Sequence, residues 1–352
     1  MTDQTTDQIG GNDVAAVQKL GEARQRMVEE LRKHIVGMED VIDQVIISIF
    51  SRGHALLEGV PGLAKTLLIS SIAKSLSLDF HRIQFTPDLM PSDITGTEIL
   101  QDDPETGKRQ FMFAKGPIFA NIVLADEINR TPPKTQAALL EAMQEKMVTA
   151  HGEDYALDLP FFVLATQNPL EQEGTYSLPE AQLDRFMFKI HVDYPNFDEE
   201  CEIIHSVTSG KADAIKPVLT KEEILSIQDL VTRVPVADHI VRYTANLVRA
   251  TRPAENESPD FIKEWIGWGC GPRASINLVT AAKARAVLNG RFNVAIEDIQ
   301  TLALPVIRHR LGLNFAAMSD GITTDDVIKR LLETIPVDGN ATAPEKVAVN
   351  AG

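Results

Sequence analysis

Cysteine and long apolar runs are scarce in this sequence. Only two cysteines, Cys201 and Cys270, occur in 352 residues, and their separation fits neither a disulfide framework nor a cysteine metal site. No apolar run approaches the length of a membrane span, and the polar start MTDQTTDQIGGND shows no secretory signal pattern. We therefore expect a protein of the reducing cytoplasm without a membrane span.

Positive charge is also in deficit. The chain carries 34 Lys and Arg against 50 Asp and Glu, which gives a net charge of −16. Proteins that neutralise many backbone phosphates are usually basic, so nucleic acid is a poor first choice of partner. A local basic loop remains compatible with this sum, because net charge does not say where the charges lie. With 44% apolar residues the chain can bury one or two cores, and we expect two domains.

The order of apolar patterns predicts two domains between two polar ends. From residue 13 to residue 195 helical patterns alternate with five short apolar runs, namely HALLEGV, FHRIQF, NIVLADE, FFVLATQN and FMFKIHV. This alternation favours an α/β domain with a parallel sheet. From 196 to 335 only helical periodicity recurs, so we expect a small all-helical domain. Segments 1–12 and 336–352 lack periodicity and are expected to be mobile tails.

A phosphate-binding loop is the sharpest motif. The segment GVPGLAKT follows an apolar strand, opens a helical run and nearly matches G-x-x-x-x-G-K-[ST]. In such loops backbone amides and a helix N-terminus enclose phosphates, the lysine meets the terminal phosphates and the hydroxyl holds magnesium. Ala64 replaces the usual glycine, and a plain Gly-Pro turn is the alternative. The predicted ATP-binding residues here are Gly59, Val60, Pro61, Gly62, Leu63, Ala64, Lys65, Thr66 and Leu67.

Acidic and polar residues end two later strands. Asp126 and Glu127 end NIVLADE, where one carboxylate can hold a nucleotide-bound magnesium ion and the other can orient the attacking water. Asn168 ends FFVLATQN, where its amide can reach the same water, although it also suits an Asn-Pro turn.

Two arginines are candidates for phosphate contacts. Arg185 in LPEAQLDRF can act on a neighbouring subunit's nucleotide, and a salt bridge with Asp184 or Glu180 is the alternative. Arg273 in GCGPRAS lies just inside a helix that begins at Pro272, and an ordinary surface arginine is its alternative.

Five segments, in this order, resemble the motifs of AAA+ ATPases: GVPGLAKT, LADEINR, ATQNP, EAQLDRF and GPRAS. Their residues are similar to those of the MoxR family. FTPDLMPSDITGTEIL and GKRQFMFAKGPIF resemble that family's insert in its second helix. The resemblance covers about residues 30 to 335. It implies a P-loop AAA+ core with a parallel sheet, a small helical lid, and hydrolysis of ATP with Mg²⁺.

The resemblance also implies roles for the residues of the first two motifs. Lys65 and Thr66 correspond to the Walker A lysine and magnesium ligand. Asp126 corresponds to the Walker B magnesium residue, and Glu127 to the base that activates water.

Five further residues receive roles by the same likeness. Asn168 corresponds to the sensor-1 residue, Arg185 to the finger that reaches a neighbour's nucleotide, and Arg273 to the sensor-2 arginine. Val36 and Gly37, in HIVGMEDVI, match the segment that lies against the adenine, although a Val-Gly pair is also an ordinary helix stop.

The family likeness implies a homo-oligomer, a hexameric ring, in which a monomer is nearly inactive. It further implies client proteins that the ring remodels or matures, with metal or cofactor insertion among the tasks, and a partner with a von Willebrand factor A domain. Nothing in the residues identifies the client.

Three other functions stay open. The ATPase subunit of a magnesium-chelatase-like complex would have the same nucleotide site. A nucleic-acid motor needs basic and aromatic residues on a pore loop, for which Lys108, Arg109, Phe111 and Phe113 give a little support. A non-catalytic scaffold would be expected to lack the Walker B glutamate, and Glu127 is present.

Overall fold

A computed structural model of the protein describes residues 11–102, 109–150, 152–169, 174–209, 213–256 and 258–337. The first of two units runs through Arg233 and includes Val287–Gly290, and the second comprises Val234–Ala286 and the chain from Arg291 onward. The predicted tails lie mainly outside the described residues, although the first helix already begins at Gly11. In the described part of the chain, no helix is long and apolar enough to cross a membrane.

Nine strands of the described residues belong to the first unit. They are β1 (Ala55–Glu58), β2 (Phe80–Gln84), β3 (Gly96–Asp102), β4 (Arg109–Lys115), β5 (Ile122–Asp126), β6 (Met147–Ala150), β7 (Glu153–Ala156), β8 (Phe162–Gln167) and β9 (Phe188–His191).

Five of these strands form a parallel sheet in the order β2-β5-β8-β1-β9. Each neighbouring pair runs parallel. The five strands coincide with the five apolar runs, so the α/β prediction is confirmed. Leu56, Leu124 and Leu164 have no exposed surface, as expected for central strands that are covered on both faces. This order brings the carboxyl ends of β5, β8 and β1 side by side.

Eight helices of the described residues belong to the same unit. They are α1 (Gly11–Leu31), α2 (Glu39–Phe50), α3 (Lys65–Ser75), α4 (Pro91–Thr95), α5 (Pro133–Glu145), α6 (Glu180–Leu183), α7 (Phe197–Ser209) and α8 (Lys221–Arg233). In α2 the apolar residues Val41, Val45, Ile46 and Ile49 recur at helical spacing and are buried.

Two antiparallel hairpins interrupt the alternation of strands and helices. The longer hairpin pairs β3 with β4 and lies in the segment that resembles the MoxR insert. Residues 103–108 between its strands, including Lys108, lie outside the described residues. The shorter hairpin pairs β6 with β7. Its four-residue strands are too short to show a clear alternation of apolar and polar residues in the sequence.

The first unit extends further along the chain than the boundary at residue 195 expected from the sequence. Helix α8 packs against α2, because Gln228 Nε2 donates to Ile49 O at 2.7 Å and Arg52 pairs with Asp229. The composition changes at residue 195 because the strands of the five-stranded sheet end before it, but the packing continues through α8.

The second unit contains six helices of the described residues, namely α9 (Asp238–Arg249), α10 (Asp260–Trp265), α11 (Pro272–Leu288), α12 (Ile296–Ile307), α13 (Phe315–Ser319) and α14 (Thr324–Thr334). Two short strands, β10 (Ile266–Trp268) and β11 (Gly312–Leu313), also pair antiparallel. The expected helical domain is confirmed, and this small strand pair is an addition that the sequence did not indicate, because strands of three and two residues leave no periodicity. Asp298, which is fully buried, accepts hydrogen bonds from Arg285 and Arg291.

Candidate functional site

The turn after β1 requires glycine at its first position. A side chain at Gly59 would place its Cβ 2.7 Å from the carbonyl oxygen of Val192. This close approach exists because Val192 N donates to Glu58 O at 2.8 Å, next to the turn. Gly62 takes a φ of +88° and faces open space, with no atom within 4 Å of the point where a Cβ would lie. The turn is therefore fixed at its base and open at its tip.

Helix α3 begins directly at the end of this turn. Ala64, which replaces the usual glycine, has φ 50° and ψ 24°, so it takes the left-handed conformation that glycine normally supplies. No side chain caps the helix at this end. The amides of its first turn are thus directed at the space above the loop, where the helix dipole favours an anion.

Lys65 lies among three carboxylates. Burial lowers the pKa of its amine, while the charges of Asp126, Glu127 and Glu58 oppose that shift. Its Nζ donates to Gly59 O, across the mouth of the loop. Thr66 follows in the first turn of α3 and is half-buried, and Leu67 is 43% exposed. The amine is therefore placed where it can meet both a phosphate and the acids of β5.

Thr166 joins the two acids at the end of β5. Its Oγ1 donates to Asp126 Oδ1 at 2.6 Å and accepts from the amide of Glu127 at 2.8 Å. Glu127 has a φ of 58°, a left-handed conformation that is strained for glutamate. Thr166 is 1% exposed and was not identified from the sequence, although it lies two residues before Asn168 in the run FFVLATQN.

Two side chains of the edge strand β2 also bind these acids. Arg82 donates to Asp126 Oδ2 through Nε at 3.0 Å and Nη2 at 2.6 Å, and Nη2 also donates to Gln84 Oε1 at 2.5 Å. Gln84 Nε2 donates to Glu127 Oε2 at 2.8 Å. Neither residue was singled out from the sequence. Their spacing of two in FHRIQF puts them on one face of a strand, and this spacing was the available signal.

Arg130 completes the surroundings of Glu127. Its Nη1 lies 2.9 Å from Glu127 Oε2, the oxygen that Gln84 also binds. Among the described residues, no donor is bonded to Glu127 Oε1. Within the described residues, this second oxygen is consequently the one that remains open to a further hydrogen bond.

Glu58 provides a third carboxylate at the end of β1. Burial raises the pKa of this carboxyl, but the opposing effect of His191 and Lys189 on β9 is larger, and the net result is a pKa lowered to about 2. Lys189 Nζ lies 2.9 Å and His191 Nε2 3.1 Å from its oxygens. Glu58 is therefore charged at neutral pH and already paired on one side.

A polar cavity of about 410 Å³ lies beside Glu58. Asn168, 7% exposed, and Asn129, 8% exposed, both line it. Asn129 Oδ1 has no hydrogen-bond partner among the described residues, an arrangement that normally implies a bound water or ligand. Asn168 lies at the end of β8 as the sequence indicated, whereas Asn129, the third residue after Asp126, was not singled out.

Arg185 follows α6 and lines a smaller cavity with Glu141 and Glu145 of α5. Within the described ranges its side chain forms no ion pair, so the predicted alternative of a bridge to Asp184 or Glu180 is absent there. Arg273 is exposed in the first turn of α11, which begins at Pro272 as expected.

Val36 and Gly37 lie between α1 and α2. Val36 is half-buried, and Gly37 has a φ of 68°. Their proposed contact with adenine stays a prediction.

The donor set fits a magnesium nucleotide. Mg²⁺ is usually held by one or two carboxylates, a hydroxyl and substrate phosphates rather than by an all-protein cage. The described residues contain no group of three or more His, Cys, Asp or Glu that could hold a metal by itself. Thr66 and Asp126 are the oxygen donors beside an uncapped helix N-terminus and a lysine, as a phosphate-bound magnesium ion requires.

Comparison with known proteins agrees with this geometry. The family model described as "ATPase family associated with various cellular activities (AAA)" matches residues 54–188, and an "AAA lid domain" model matches 261–331. Chaperone MoxR1 of Mycobacterium tuberculosis is 41% identical over 322 residues, which are 92% of this chain and 84% of that protein. The chain belongs to the MoxR family of AAA+ ATPases. It is accordingly an ATP-hydrolysing enzyme.

Two further comparisons also cover nearly the whole chain. The MoxR protein of Methylorubrum extorquens is 30% identical over 90% of this chain and 95% of its own length. A crystal structure of a candidate ATPase from Cytophaga hutchinsonii is 43% identical, with a TM-score of 0.85 over 93% of this chain and 99% of that one.

The structure brings together most of the MoxR motif residues. Lys65, Asp126 and Glu127 interact electrostatically, and Asn168 follows the strand between β5 and β1. Arg185 makes no ion pair with these acids within the described ranges. Arg273 lies in the second unit.

Proposed function

We propose that this ATPase hydrolyses a magnesium-bound ATP at the turn after β1 and uses the energy to remodel other proteins. Lys65 and the amides of α3 bind the phosphates, while Thr66 and Asp126 hold Mg²⁺, which offsets charge on the phosphates. Glu127 takes a proton through Oε1 as a water attacks the terminal phosphorus and the bond to ADP breaks. The observation that carries this proposal is the amine of Lys65 between an uncapped helix and the acids of β5.

The Glu127→Gln variant tests the catalytic part. The amide keeps the hydrogen bonds at this position but cannot accept the water's proton, so turnover is expected to fall about a hundredfold. ATP binding, measured with a fluorescent analogue, is expected to persist. Unchanged turnover would refute the role of Glu127.

Assembly into a ring is proposed from Arg185. Within the described residues, this arginine forms no ion pair with the acids of its own site. That arrangement is consistent with an arginine that contacts the phosphates bound by another copy of the chain. Mixing Arg185→Ala subunits with Lys65→Ala subunits should restore part of the activity, because one intact site then forms between two different chains. Assembled mixtures without recovery would contradict this assignment.

Protein rather than nucleic acid is the proposed client class. The β3–β4 hairpin exposes four large apolar residues, with Leu100 opposite Phe111 and Ile99 opposite Met112. Paired residues share a face and successive residues alternate, so both faces of the hairpin are apolar. Phe113 stacks on Tyr155 at 4.2 Å instead of offering a free ring to a base.

The relative named a chaperone supports the same client class. We test it with citrate synthase unfolded by heat, whose aggregation the native ring with ATP should suppress. Replacing Leu100 and Phe111 by serine should abolish most of this effect, whereas Phe315→Ser, an 81% exposed residue of the second unit, should not. Equal suppression by the hairpin variant would contradict the proposal.

We further propose six subunits and a partner with a von Willebrand factor A domain, on the family resemblance alone. Mass measurement of Glu127→Gln with ATP should give six times the mass of one chain, and another stable multiple would overturn the number. Co-purification of a chelatase catalytic subunit with the same variant would instead favour the magnesium-chelatase-like function.

A further inference from the structure

We propose that Arg82 is the counter-ion of Asp126 in the metal-free protein, and that it exchanges with Mg²⁺ when the nucleotide binds. This inference rests on the proposed magnesium site. It makes Arg82 a positioning residue that sets how much Mg²⁺ the enzyme needs.

The hydrogen bonds of Asp126 leave little room for a metal. A carboxylate has about four acceptor positions, two on each oxygen. Arg82 uses both positions of Oδ2, at 3.0 Å and 2.6 Å, and Thr166 uses one of Oδ1 at 2.6 Å. Mg²⁺ or its bound water must therefore share the remaining position or displace Arg82.

The charges around Asp126 also favour displacement of Arg82 when Mg²⁺ binds. Asp126 is followed directly by Glu127, and Glu58 lies close enough that all three affect Lys65. Without a metal these acids repel one another, and Arg82 offsets the charge of Asp126, just as Arg130 offsets that of Glu127. When a divalent cation arrives, the guanidinium becomes a like charge beside it, which disfavours both together.

The partner free to move is the arginine. The side chain of Arg82 is 47% exposed on an edge strand, whereas that of Asp126 is 15% exposed. Thr166, itself buried, fixes the carboxylate from the opposite side. A long exposed side chain can leave at small cost, since exposed ion pairs contribute little to stability. Exchange therefore leaves the sheet intact.

The test is a titration of Mg²⁺ into the full chain with the fluorescent nucleotide mant-ADP. Arg82→Gln should lower the half-saturating Mg²⁺ concentration about twofold to fivefold, the range of a partly exposed ion pair. In EDTA the same variant should bind mant-ADP more weakly than the native chain, because the charge of Asp126 is then uncompensated. Opposite signs in the two conditions would not result from a general loss of structure.

Three controls define the result. Arg82→Lys keeps the charge and should stay near the native midpoint. Arg130→Gln removes an equally placed charge from Glu127 and should shift the midpoint less than Arg82→Gln does. Arg24→Gln removes the arginine of a similar pair with Asp43 between α1 and α2 and should not shift it.

Failure of this inference is separable from failure of the proposed site. If the native chain responds to Mg²⁺ and Asp126→Asn abolishes the response, the site stands; an unshifted or raised midpoint for Arg82→Gln then overturns the exchange alone. An equal shift for Arg130→Gln also overturns the exchange, because loss of any nearby positive charge would then explain the change in the Mg²⁺ midpoint. A native chain whose nucleotide binding ignores Mg²⁺ would overturn both.

Discussion

Replacing Thr166 by valine should release the acids of β5 without changing the shape of the core. Valine is nearly isosteric with threonine but has no hydroxyl, so two hydrogen bonds are lost, at 2.6 Å to Asp126 and at 2.8 Å from the amide of Glu127. A bond to an ionised carboxylate contributes about 1.5 to 3 kcal/mol, and a buried amide left without a partner adds a further cost. We expect a local loss of at least about 2 kcal/mol at the end of β5.

Hydrogen exchange measured by mass spectrometry is the suitable assay, because the protein has two units and one global unfolding energy would mix them. A loss of about 2 kcal/mol corresponds to roughly thirtyfold faster exchange, expected in the peptide that carries the Glu127 amide. Thr166→Ser keeps the hydroxyl and should exchange nearly as slowly as the native chain. Exchange in the valine variant within twofold of native would refute the structural role given to Thr166.

Two further predictions concern stability. Ala64→Gly should raise the melting temperature by a small amount, corresponding to about 0.5 to 1 kcal/mol, because glycine takes the left-handed conformation at φ 50° without strain; a lower melting temperature would contradict this. Burial lowers the pKa of His54 to about 4, below its unfolded value, so its contribution to stability is complete above pH 6.5 and is lost as the pH falls toward 4. Hydrogen exchange of the β8 peptide, in which the Val163 amide donates to His54 Nδ1, should show that loss, about 3 kcal/mol, in the native chain but not in His54→Gln, and equal pH slopes for both would refute it.

The central sheet was predictable because of local composition. A strand covered on both faces must be apolar throughout, so each of the five runs is visible in the sequence without knowledge of its neighbours. The turn from Gly59 to Thr66 was predictable for a similar reason, since its chemistry depends on consecutive residues. The carboxyl-end position of Asp126 followed from its place after an apolar run.

The contacts around the acids were not predictable in this way. Arg82 and Gln84 reach Asp126 and Glu127 only because β2 pairs with β5, and strands that pair need not be adjacent in sequence. The position of α8 in the first unit depends on contacts such as Gln228 with Ile49, far apart along the chain. For residues whose roles depend on such pairings, the sequence shows only their polarity and their spacing within their own strand or helix, and not the partner that they contact.

Calorimetric titration of ATP with Mg²⁺ into the native chain and into Lys65→Ala tests the central claim most directly. The native chain is expected to bind one nucleotide per subunit, and Lys65→Ala to bind at least about tenfold more weakly, because a charge-assisted contact of about 1.5 to 3 kcal/mol is lost. Equal affinity in the two chains, or no binding by the native one, would contradict the assignment of this turn as the nucleotide site.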